Sequence, residues 1–74
     1  MIPTNEIDTL TMTVVDAIDL AADGQLADGY AALLAGLHRA EEIAEEGIEW
    51  GQELADRWRL ACDNYAKQYG VKIE

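Results

Sequence analysis

Residues 26–44 read Leu26-Ala27-Asp28-Gly29-Tyr30-Ala31-Ala32-Leu33-Leu34-Ala35-Gly36-Leu37-His38-Arg39-Ala40-Glu41-Glu42-Ile43-Ala44. Within them Leu26, Tyr30, Leu33, Leu37, Ala40 and Ala44 recur at spacings of 4, 3, 4, 3 and 4, the seam of a helix packed lengthwise on another helix. A strand would alternate with period two, and this stretch does not. Beside the seam runs a row of small residues, Gly29, Ala32 and Gly36, ending near Ile43, and a further row holds Ala27, Ala31 and Leu34. Apolar or small residues therefore cover more than half of the helix, which implies neighbours on more than one side. An interior glycine costs about 1 kcal/mol relative to alanine, so Gly29 and Gly36 mark a place where another backbone comes close. The helix is expected over 25–46.

Reading outward toward the N-terminus, Ile7, Leu10, Val14, Ile18 and Ala21 fall on one helical face after Pro3, with Thr4 or Asn5 available as a cap. This predicts a first helix over 5–22, stopped at Asp23-Gly24, where glycine can adopt the left-handed conformation. On the other side of Gly47, Trp50, Leu54, Trp58, Ala61, Tyr65 and Tyr69 repeat at spacings of 4, 4, 3, 4 and 4. A third helix is expected over 49–69, closed by Gly70-Val71 in a Schellman-type end. The fold class is all-α: one three-helix domain over 1–74, built on a long antiparallel hairpin of helices 2 and 3, with helix 1 packed across it. Trp58 stands at the centre of the helix 3 stripe, which reads as core. That core is thin, because 12 of the hydrophobic residues are alanine and phenylalanine is absent, and so short a chain has surface for only one core. A homodimer is expected, joined through the small-residue face of Gly29, Ala32 and Gly36; the alternative is that helices 1 and 3 cover both faces of helix 2 within one monomer.

Fifteen Asp or Glu stand against five Lys or Arg, a net charge of −10. Such a chain repels nucleic-acid phosphates and anionic lipid, so the expected partner is a protein, a basic one where charge decides. The acids concentrate on helix 1: before Arg39 there are six acids and no Lys or Arg. Asp8, Asp16, Asp19 and Asp23, with Met12 among them, form an acidic strip opposite the apolar stripe. On helix 3 the charges fall at pairing distances, Glu53 with Arg57 and Asp63 with Lys67 four apart, Asp56 with Arg59 three apart. Met12 and Leu60 are the apolar residues with no place in a monomer core.

His38, Glu41, Glu42 and Glu45 lie at helical offsets of three, four and seven, a spacing that can place an imidazole and carboxylates on one metal. With a single histidine in the chain the set is incomplete, and neither metal nor cofactor is expected. Nucleophilic catalysis is unsupported too: serine is absent, and Cys62 lies beside the apolar face of helix 3, far in sequence from the histidine. The chain is therefore expected not to be an enzyme. No stretch approaches the apolar length of a membrane span, and the first residues carry neither the positive charge nor the apolar run of a secretory signal, so a cytoplasmic location is expected. Together these features predict a non-enzymatic interaction module, such as an adaptor, small regulatory subunit or inhibitor, presenting acidic helix faces. Two alternatives stand beside it: an acidic nucleic-acid mimic that blocks a DNA- or RNA-binding protein through helix 1, and a carboxylate-rich metal-binding bundle.

Overall fold

Three helices carry the chain, α1 (Thr4–Ala22), α2 (Leu26–Glu45) and α3 (Gly51–Tyr69), in a computed structural model that describes residues 1–71. Each boundary falls within two residues of its expected position, and the short tail expected after Val71 lies outside the described residues. The cap of α1 differs from expectation. Thr4 and Asn5 sit inside the first turn, Pro3 holds the cap position with φ −58° and ψ 144°, and no side chain caps the helix; the ring of proline sets that φ by itself. Gly24 and Gly70 close α1 and α3 with φ of 82° and 68°. The amides that follow fold back, Gln25 N–H to the Leu20 carbonyl at 2.8 Å and Val71 N–H to the Ala66 carbonyl at 3.0 Å, the six-to-one bond of the Schellman motif.

The hairpin of α2 and α3 is antiparallel and closely packed from end to end. Near the turn, a Cβ on Gly51 would fall 2.7 Å from the Cα of Ala44, so the two backbones touch there. Midway, the six-membered ring of Trp58 occupies the space over Gly36, and toward the far end the Tyr65 phenol covers Gly29. Leu33, Leu54 and Trp58 are the largest fully buried side chains. The Trp58 indole N–H is buried with no hydrogen-bond partner among the described residues, so shape rather than polarity holds that ring.

These contacts give Gly29 and Gly36 close neighbours within the chain, the alternative to self-association through Gly29, Ala32 and Gly36. The neighbour that comes close to both glycines is α3 of the same chain, and Gly29 also faces α1, where a Cβ would lie 2.9 Å from the Ala17 carbonyl. Ala32 is half-buried beside them.

Helix α1 lies along α2 and scarcely touches α3. The Cα extents, 37 × 26 × 15 Å, describe a slab with α2 in the middle. The floor between the outer helices is open.

Candidate functional site

The close crossing of α1 on α2 decides what α1 exposes. Ala17 is 0% exposed at that crossing, because only a small side chain fits where its carbonyl meets Gly29. Ile7, Leu10, Val14 and Ala21 extend the same line onto the core. Residues one step round the helix are turned outward: Val15 is 52% exposed and Ile18 46%. Ile18 was expected in the buried stripe; the tight Ala17–Gly29 approach rotates it into the gap between α1 and α3 instead.

That gap is a groove of about 450 Å³. Its α1 wall is Leu10, Val14, Val15 and Ile18, its floor includes Leu33 of α2, and its α3 wall is formed by Leu60, Ala61, Asn64, Gln68 and Tyr69. Leu60 is 60% exposed. Helical spacing leaves it outside a monomer core, and it lines this groove. At one end a cluster of tyrosines supports the floor. Tyr65 donates to the Leu26 carbonyl at 2.8 Å, stacks on Tyr30 with centroids 6.2 Å apart and meets Tyr69 at 4.8 Å. Burial pushes the phenols of Tyr30 and Tyr65 above their ordinary values, so both remain neutral hydrogen-bonding groups at physiological pH.

The charges around the groove are unequally distributed. Among the described residues Arg57 is the one cation on its lining, and it leans on Glu53 at 3.7 Å with both side chains more than half exposed. On α1, Asp8, Asp16, Asp19 and Asp23 are all exposed and none forms an ion pair among the described residues. Asp19 and Asp8 are four and seven residues from Val15, on the strip of helix surface that borders the groove. Met12, 66% exposed, lies within the acidic strip and not on the groove lining.

The first Lys or Arg in the chain, Arg39, is engaged elsewhere. Arg39 reaches across to Glu6 and donates twice, to Oε1 at 2.6 Å and Oε2 at 2.8 Å. Glu6 is nearly buried and Arg39 half exposed. The bidentate hydrogen bonds hold the Glu6 carboxyl below its ordinary value against the opposing effect of burial, and raise Arg39 correspondingly. The sequence contained a sign of this clamp: Glu6 precedes Leu10 by four on the buried line of α1, where a carboxylate needs a cation.

His38, Glu42 and Glu45 are exposed, and Glu41 accepts a hydrogen bond from Arg59 at 3.3 Å. Among the described residues no group of three or more His, Cys, Asp or Glu side chains converges. Arg59 also pairs with Asp56 at 3.1 Å, as the spacing predicts, whereas Asp63 and Lys67 form no ion pair among the described residues. Cys62 is buried, and burial raises its thiol above the ordinary value, the opposite of what activates a nucleophile. No described helix is long and apolar enough to cross a membrane. Comparison of the chain with protein-family models, with characterised proteins and with solved structures found no match.

Proposed function

We propose that this chain is a non-enzymatic protein-interaction module whose working surface is the groove between α1 and α3, and that it receives the apolar face of a helix from a partner protein. The observation that carries this reading is the uncovered apolar wall of Val15, Ile18 and Leu60. In a chain with so little large apolar surface, three such side chains facing one open groove are better explained by an occupant than by chance exposure. The dimensions fit a helix. From Leu10 to Ile18 the α1 wall runs about 12 Å at 1.5 Å per residue, which matches two turns offering apolar side chains at helical spacing.

The test is site-specific crosslinking in the native host. A photoreactive amino acid at Leu60 should yield a discrete adduct with one protein, and the same group at Glu42, on the outer face of α2, should not. Equal adducts from both positions, or none from Leu60, would remove the groove from consideration. Leu60→Asp separates this reading from a nucleic-acid mimic: an added carboxylate should abolish docking of an apolar helix, but would leave a phosphate-like surface intact or strengthen it.

A further inference from the structure

Resting on the groove as the docking surface, we infer that its occupant is a cationic amphipathic helix, seated with its apolar face between α1 and α3 and its Lys or Arg flank against the acidic strip of α1. Charge complementarity carries the argument. The α1 wall of the groove is apolar, yet the helix surface bordering it presents Asp8 and Asp19, with Asp16 farther round the same acidic strip, all three exposed and without ion pairs among the described residues. No Lys or Arg precedes Arg39 in the chain, and Arg39 is held by both oxygens of Glu6. On the opposite wall Asn64 and Gln68 are neutral and Arg57 already has Glu53 beside it. A docking helix therefore meets an uncompensated negative edge on α1 and an edge of mixed charge on α3, where Arg57 pairs with Glu53 and the exposed Lys67 lies seven residues from Leu60.

The same asymmetry selects against the other occupants. A second copy of this chain would bring a further −10 of charge to a surface that is already acidic, with no basic helix of its own to offer. A helix carrying Asp or Glu on its flank would meet like charge along the whole of α1, a juxtaposition that discriminates strongly between partners.

The experiment uses three synthetic helices sharing one leucine stripe at i, i+4 and i+7 and differing in flank: lysine, glutamine or glutamate. Binding to the full chain is measured by titration calorimetry at low and physiological salt, and the site is located by amide chemical shifts. The lysine peptide should bind best and lose affinity with salt, while shifting the amides of Val15, Ile18 and Leu60. Replacing Asp8, Asp16 and Asp19 together by asparagine should weaken it about tenfold at low salt and flatten its salt dependence. Ile18→Asp with Leu60→Asp should weaken all three peptides by about tenfold or more. If lysine and glutamine peptides bind equally through Ile18 and Leu60, the groove stands and the charge inference falls. If the lysine peptide binds but is indifferent to Ile18→Asp and Leu60→Asp, binding lies outside the groove and the docking surface itself is refuted. Absence of binding by all three refutes both. A stable dimer in sedimentation, dissociated by Leu60→Asp, would overturn the inference in favour of a second copy.

Discussion

Gly36→Ala inverts the ordinary effect of that substitution. In an exposed helix interior, replacing glycine by alanine stabilises by about 1 kcal/mol, through backbone entropy and helix propensity. At position 36 the new methyl would overlap three atoms of the six-membered ring of Trp58, a ring only 1% exposed at the centre of the hairpin. The ring cannot swing outward, so α2 and α3 must separate or Trp58 must leave its rotamer, at a cost of about 1–3 kcal/mol for overpacking. Subtracting the propensity gain leaves a net loss of up to about 2 kcal/mol, and each kcal/mol lowers the melting temperature of so small a domain by about 4–8 °C. Thermal and urea unfolding read the change, and sedimentation should read the same mass for variant and wild type. A double-mutant cycle with Trp58→Phe isolates the cause: the smaller ring removes much of the overlap, so the paired losses should fall short of their sum by about 1 kcal/mol or more. A raised melting temperature for Gly36→Ala, or a mass that falls with it, would refute the internal packing of this face.

Four further outcomes follow from the same contacts. Glu6→Gln should cost about 1 kcal/mol at neutral pH, reduced from the usual value of a charged hydrogen bond because Arg39 is half exposed; as the folded carboxyl titrates below its ordinary 4.5, the difference from wild type should persist above that pH and vanish as acid titration passes through the lowered folded value. Tyr65→Phe removes the hydrogen bond to the Leu26 carbonyl and should destabilise by about 1 kcal/mol in urea unfolding. Cys62, with its thiol raised by burial, should react with a thiol reagent far more slowly in native protein than in urea, and equal rates would contradict its placement. Raising salt from 10 mM to 150 mM should raise the melting temperature, because the Debye length falls from about 30 Å to about 8 Å and relieves self-repulsion of a net −10 chain only 37 Å long.

Helix 2 shows how far periodicity carries and where it stops. The seam of Leu26, Leu33 and Ala40, the stripe of Trp58 and Tyr65 and the glycine stops follow from local spacing, and spacing is a property of one helix at a time. Which helix answers a small-residue row is not. Gly29 and Gly36 announced close approach correctly, but Trp58 and Tyr65, large enough to fill both hollows from the same chain, lie more than twenty residues away and no periodicity links them to those glycines. The Glu6–Arg39 clamp joins residues 33 positions apart and belongs to the same class of pairwise, non-local facts. Ile18 illustrates the reverse error: by spacing it belongs to the stripe, and one step of rotation at the Ala17–Gly29 crossing places it outside.

That rotation connects the fold to the site. Had residue 17 or residue 29 been bulky, α1 would stand farther from α2 and could roll Ile18 inward, closing its apolar face on the hairpin. With Ala17 and Gly29 in contact, α1 is fixed to α2 along a narrow line, and Val15 and Ile18 are left facing α3 across a gap they do not fill. Leu60 answers them from the other wall. The small residues that make a thin core possible thus also set the width and lining of the groove. Enlarging Ala17 to leucine should act at both levels, lowering stability by about 1–3 kcal/mol through overpacking and shifting the amide resonances of Val15, Ile18 and Leu60 together as α1 is displaced. A stability loss that left those three resonances unmoved would separate the crossing from the groove and break this link.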